Sequence, residues 1–433
     1  MTGQKLKHIL QKVKPEHWIP VVSVLIAALL ILGTMQWMSP TTGISAVDAK
    51  MPTTQDAMSM TATAAPTLPP PPTHIQTPDP VRGIYVTSWV ASIPSWRNRL
   101  VQSGKKAGLN AVVIDVKDST GWVSFDTGNP LIKTLGTEQV RIRDLRTWID
   151  DLHRQNIYVI ARIVVFQDPV YTKKFPQSAI QTLSGHIWRD RNGLSFVDVS
   201  NTEFWNYIVA LSKVSIQMGF DELNFDYVRF PTDGNLNDMV LPITNRQEHN
   251  ASSNLSIKAQ ALKRFFAYLD QALESTHIPL SVDLFGMVLT NTDDLGIGQQ
   301  LEAAAPYFDY ICPMIYPSHW PRGFIGISNP AEYPYEIVRH AMRAGLARVP
   351  AAQLRPWLQD FHMGATYDAA KMIAQKQALY DLGLYSYLVW DPANKYRTAN
   401  YEPSATQKTV KPQVPTAIPE TPTDAVEFSA TLH

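Results

Sequence analysis

The chain has a single cysteine, Cys312, in 433 residues, so no disulfide can form within it. That excludes a disulfide scaffold but leaves a secreted location open, because a large core needs no crosslinks. Net charge is also lacking: 38 Lys and Arg balance 38 Asp and Glu, for a formal charge of +0. With no global field and no basic patch, nucleic acid is not an expected partner. No Gly-rich phosphate loop follows the first apolar run, no Gly-x-Ser-x-Gly elbow is present, and no catalytic cysteine constellation appears. Cys312 sits in the middle of an apolar run and reads as a small buried hydrophobe. No His or Cys has a companion at ligand spacing, so neither a metal nor a cofactor is expected.

What is present divides the chain into five parts. Residues 1–18 carry Lys5, Lys7, Lys12 and Lys14 before any acid. Residues 19–38 are an almost uncharged apolar run flanked by Trp18 and Trp37, long enough as a helix to cross a bilayer. The lysines predict a cytoplasmic N-terminus and a single-pass signal anchor that leaves the rest outside the cytoplasm. A cleaved signal peptide is the alternative, with Ile44 to Ala49, "ISAVDA", as the site. Residues 39–80 are rich in Pro, Thr and Ala, including "LPPPPT", and are expected to be a disordered spacer. Residues 81–402 form the folded body, and 403–433 resemble the spacer.

Within 81–402, eight apolar runs of strand character alternate with helical patterns. The strands are read at 83–90, 111–117, 158–166, 222–228, 280–286, 309–316, 355–361 and 385–390. Helices are read at 96–107, 143–155, 203–218, 257–275, 298–305, 335–344 and 367–382, several followed by Gly108, Gly219 or Gly383 as C-terminal caps. Strand–helix alternation implies parallel strands, and eight in roughly 320 residues fit an α/β (β/α)₈ TIM barrel. An open doubly wound sheet is the rival.

The fourth run, "DELNFDYVRFP" from Asp221 to Pro231, places three acids on or beside a strand. Alternation puts Asn224 and Asp226 in the lumen and Leu223, Phe225 and Tyr227 against the helices. The other strands add Asp115 and Lys117, Arg162, Asp283, Tyr316, Gln359 and Trp390 near their C-terminal ends, where barrel active sites lie. Asp115 and Lys117 are either a self-satisfying pair or ligands of substrate. Arg162 or Arg229 would pair with Asp226, as a structural ion pair or to hold it ionised. Asp360 closes its strand and is kept as a candidate in case a bulge turns it inward. The loop "YPSHWPRG", Tyr316 to Gly323, brings Tyr316, His319 and Trp320 together, a composition suited to stacking on sugars; loop packing is the plainer reading.

The motifs "GFDELNFDYVRFP", "SVDLFG", "FDYICPMIYPSHWPRG", "RPWLQDF" and "YLVWDPANKY" resemble a bacterial glycoside-hydrolase-like domain family of unknown function. That family is distantly similar to the α-amylase and α-galactosidase groups. The resemblance covers residues 81–401 and implies a barrel acting on carbohydrate. It places Asp226 where the nucleophile ends the fourth strand. The α-amylase group carries its acid/base Glu on strand five, where this sequence has Asp283. The α-galactosidase group carries an Asp on strand six, where this sequence has Tyr316. The expectation is a glycosidase of an extracytoplasmic glycan with Asp226 and Asp283 as its two carboxyl groups. The alternatives are a carbohydrate-binding barrel without turnover and a metal-dependent polysaccharide deacetylase.

Overall fold

The computed structural model describes residues 71–247 and 253–396. The expected anchor at 19–38, the spacer up to residue 70 and the tail at 403–433 lie outside the described residues. Among the described residues no helix is long and apolar enough to cross a membrane.

Eight parallel strands close into a barrel. They are β1 (Arg82–Val86), β2 (Ala111–Lys117), β3 (Tyr158–Val164), β4 (Glu222–Asp226), β5 (Leu280–Phe285), β6 (Tyr310–Met314), β7 (Trp357–Gln359) and β8 (Tyr387–Trp390). Each pairs with its sequence neighbours, and β8 pairs with β1 to close the ring. Strands β2 and β3 are buried along their whole length. This is why they read as largely apolar runs: one face meets the lumen and the other the helices. The main outer helices are α1 (Pro94–Lys106), α2 (Leu145–Arg154), α3 (Thr202–Met218), α4 (Ile257–Leu273), α5 (Pro334–Leu346) and α6 (Ala369–Tyr380). Between β5 and β6 the helix shrinks to one turn, Leu301–Ala304, where eight residues were expected. Local chemistry sets the boundaries. Asn201 caps α3 by accepting from the Phe204 N–H, and Gly219 ends it at a φ of 105° that costs glycine little.

The lumen is layered. At the lower, N-terminal end of the strands, Glu222 accepts hydrogen bonds from Ser281 Oγ (2.6 Å), Tyr158 OH (3.1 Å) and the Arg355 guanidinium. Asn224 lies one level up and Asp226 at the top, so alternation along β4 holds for 222, 224 and 226.

Two expectations fail in backbone detail. The residues after β1 do not continue the strand: Ser88–Ala91 coil into a helical turn capped by Thr87. Residues 71–80, expected to belong to the spacer, lie against the lower end of the barrel. The Ile75 N–H donates to Asp221 Oδ1 (2.8 Å) and Thr77 Oγ1 lies 3.0 Å from Tyr158 OH. Asp221 also accepts from the Val159 N–H and lies 2.9 Å from His153 Nε2, so this buried carboxylate gathers donors from three segments. Composition alone hides such a contact, because it depends on one backbone N–H meeting one acid.

Candidate active site

A cavity of about 290 Å³ opens at the C-terminal ends of the strands. Asp226, Arg162, Asp283, Trp390, Tyr316, His319, Trp320 and Arg229 all line it. This is the end where barrel enzymes carry their chemistry, and the volume sits at the lower edge of small-molecule pockets, roughly 300–1,000 Å³.

Arg162 organises the floor. Its Nη1 donates to Asp115 Oδ1 (2.6 Å), its Nε to Asp226 Oδ2 (3.1 Å), and its Nη2 also to Asp226 Oδ2. Asp226 Oδ1 accepts from the Tyr227 N–H at 2.6 Å. Three donors therefore meet the two oxygens of Asp226, two of them from the guanidinium. Arg162 packs beneath the Trp390 ring, 4.9 Å from its centroid, and Trp390 stacks on Tyr85 at 3.8 Å.

Asp283 has a different environment. Its Oδ1 accepts from Asn224 Nδ2 (2.9 Å) and Trp357 Nε1 (2.7 Å), both neutral. Its Oδ2 stands 4.0 Å from Arg162 Nε, beyond hydrogen-bond reach. Burial and the nearby charge of Asp226 push the Asp283 carboxyl well above the usual carboxylate range, outweighing Arg162, Asn224 and Trp357. The two acids thus have unequal surroundings: Asp226 is bonded to the guanidinium and Asp283 is not. Arg162 Nε is 3.1 Å from one and 4.0 Å from the other, so their facing oxygens lie no more than about 7 Å apart.

The aromatic loop after β6 forms one wall. Tyr316 contacts His319 and Phe361 edge to face. Burial, then the charges of Asp283 and Asp226, raise the Tyr316 phenol well above its ordinary value, so it stays a neutral hydroxyl. Burial lowers His319, which favours a neutral imidazole. Trp320 packs on Phe324 at 4.4 Å.

Four expected contacts fall elsewhere. Asp115 does not line the cavity; it lies beneath Arg162, held by the guanidinium and by Tyr85 OH. Lys117 is not its partner. The β2–β3 register shifts between Asp115 and Lys117, and that bulge turns the lysine away, to Asp168 Oδ2 at 3.0 Å. Gln359 anchors the wall instead of facing substrate: its Oε1 accepts from Ser318 N–H (3.2 Å) and Ser318 Oγ (2.9 Å). Asp360 is buried off the cavity, because β7 keeps its alternation and no bulge brings it inward.

Sequence reasoning placed Tyr227 against the helices, yet it lines the cavity. Its φ is +53°, an uncommon left-handed conformation for a bulky side chain that ends β4 and swings the following residues over the mouth. Phe285, Met287 and Met314 also line the wall and went unnoticed, since apolar side chains on apolar runs give no signal. Trp357 is fully buried and also orients Asp283, a role its position alone did not reveal. Among the described residues no group of three or more His, Cys, Asp or Glu is arranged to hold a metal ion.

A closed (β/α)₈ barrel whose C-terminal mouth holds paired carboxyl groups and an aromatic wall has the architecture of the barrel glycoside hydrolases. Residues 83–396 match the family described as "Putative glycosyl hydrolase domain", and the chain belongs to that family. Among solved structures, the PgaB (BpsB) glycoside hydrolase domain from Bordetella bronchiseptica is similar at 15% identity and a TM-score of 0.54, over 73% of this chain and 95% of that one. A hypothetical protein from Ruminiclostridium thermocellum ATCC 27405 is 29% identical over 46% of this chain and 96% of its own, with a TM-score of 0.40. A class V chitinase from Pseudomonas fluorescens Pf-5 is 14% identical, with a TM-score of 0.45, over 74% of this chain and 97% of its own. No curated protein matches the chain.

Proposed function

We propose that the chain hydrolyses glycosidic bonds in an extracytoplasmic polysaccharide, such as a cell-wall glycan or exopolysaccharide, through Asp226 and Asp283. The observation that carries this reading is the unequal environment of the two acids around Arg162. Asp226, held by the Arg162 guanidinium, attacks the anomeric carbon as the glycosidic C–O bond breaks. Asp283, holding a proton, delivers it to the leaving oxygen. Water then attacks the same carbon, Asp283 takes its proton, and the Asp226 ester opens to the free carboxylate. Retaining enzymes hold the two groups about 5–5.5 Å apart and inverting ones about 6.5–9.5 Å. The ceiling of about 7 Å set by Arg162 is compatible with the retaining course, which we favour. Tyr316, His319, Trp320 and Trp390 hold the sugar. Location follows from the sequence: an anchor at 19–38 would keep the barrel outside the cytoplasm at the membrane surface, and cleavage would release it.

The test is release of new reducing ends from bacterial surface and storage glycans by the full chain and by its Asp226→Asn form. We expect turnover that falls at least about a thousandfold in the variant, the scale for loss of a covalent nucleophile. Equal turnover by both forms would remove Asp226 from the mechanism. A second reading, a carbohydrate-binding barrel without turnover, draws on the shorter Asp283 where related enzymes have Glu. It predicts that both forms bind glycan and neither cleaves any.

A further inference from the structure

We infer that Arg229 is an anion-recognition residue, and that the glycan carries an oxyanion substituent, a carboxylate or a phosphate, on or next to the sugar in the cavity. The inference rests on the glycosidase reading only for its sugar; the anion site stands on its own geometry.

The positive charges of the cavity wall are used differently. Arg162 is fully engaged by Asp115 and Asp226. Arg229 has no carboxylate within ion-pair distance among the described residues, although Asp226 lies three positions before it. Among the described residues only its Nη1 donates, to the Phe230 carbonyl (3.1 Å) and Thr232 Oγ1 (3.3 Å). Its Nε and Nη2 have no acceptor among the described residues, and neither is sealed from solvent without one. One edge of the guanidinium therefore remains open at the cavity wall.

That edge is held in place. The guanidinium carbon lies 4.7 Å from the Tyr227 ring centroid, 5.2 Å from Phe285 and 5.7 Å from Phe196. Three rings and two neutral acceptors fix its plane without neutralising it. The left-handed turn at Tyr227 supplies one of those rings and directs the arginine over the mouth. A rigid fork with its charge unspent matches a planar carboxylate or a phosphate with two parallel hydrogen bonds, and preorganisation lowers the entropy lost on binding. A purely structural arginine would fill the same space and predicts no preference among ligands.

The test uses the full chain and follows binding by the change in its tryptophan fluorescence, to which Trp320 and Trp390 in the wall contribute. The probes are glucuronate, glucose and inorganic phosphate. We expect glucuronate or phosphate to bind at least tenfold more tightly than glucose, with a preference that weakens as salt rises. Arg229→Gln should remove the preference, Arg229→Lys should keep part of it, and Asp226→Asn should leave it intact. Tight binding of glucuronate but not of phosphate would assign a carboxylate; the reverse would assign a phosphate. Equal binding of glucose and both anions, or a preference that survives in Arg229→Gln, overturns the inference. Cleavage of an anionic glycan at unchanged kcat/KM in Arg229→Gln also overturns it, and leaves the glycosidase reading standing. An Arg229-dependent anion preference with no cleavage of any glycan supports it and sinks the glycosidase reading.

Discussion

Replacing Arg162 by Met would strip the cavity floor of its counter-charge while keeping most of the side-chain volume. Asp115 and Asp226, 3% and 4% exposed, would face each other with no cation between them. Three charge-assisted hydrogen bonds disappear. Summing them at about 1.5–3 kcal/mol each would overstate the loss, because the carboxylates regain some solvation or take up a proton. Removing one partner of a buried ion pair typically costs about 3–5 kcal/mol, and we expect that loss at pH 7. The deficit should depend on pH in a fixed direction. Burial already holds the Asp115 carboxyl above its ordinary value against the pull of Arg162, and loss of that cation raises it further. Such a group is without penalty below its unfolded value of about 3.9 and costs stability as pH climbs towards its folded pKa. The gap to the parent should therefore be smallest near pH 4 and widest at neutrality. Urea unfolding at both pH values, read by tryptophan fluorescence and compared at equal m, measures it. Asp115→Asn combined with Arg162→Met should recover part of the loss. A gap below about 1 kcal/mol at pH 7, within the range of exposed ion pairs, or one that does not change with pH, would refute the view that Arg162 holds this floor together.

Other changes reach neighbouring parts of the site. Trp357→Phe deletes a donor that favours the ionised Asp283. The Asp283 pKa should rise further, moving the basic limb of the kcat/KM profile to higher pH; an unmoved or lowered limb would separate Asp283 from the acid role. Gly286→Ala would put a Cβ 2.6 Å from the Met314 carbonyl oxygen, backbone that cannot swing aside. We expect a loss of about 1–3 kcal/mol in urea unfolding and a distorted wall between β5 and β6. Gln359→Ala frees Ser318 from its acceptor, and steady-state kinetics should show KM rising several-fold with a smaller change in kcat.

The barrel was legible in the sequence because parallel strands covered on both faces are buried throughout and mostly apolar, as β2 and β3 are. The floor was legible because alternation along β4 holds: Glu222, Asn224 and Asp226 do point inward. What was hidden lies where the backbone leaves its ideal period. One extra residue, Val116, slipped Lys117 out of phase and gave it a different partner. One left-handed residue, Tyr227, moved an aromatic ring from its predicted side to the cavity. Neither event has a compositional mark: no glycine stands at either position. The double duty of Trp357 was hidden for another reason, since burial and hydrogen bonding of one indole cannot be told apart from residue type.

Ile75 and Thr77 fasten the incoming chain to Asp221 and Tyr158, at the lower end of β3 and β4, while the cavity opens at the upper end of the same strands. Strands of five to seven residues rising about 3.3 Å each put roughly 15–25 Å of packed barrel between the two. The chain thus enters this barrel through its closed floor, and the mouth stands free at the opposite end of the same strands.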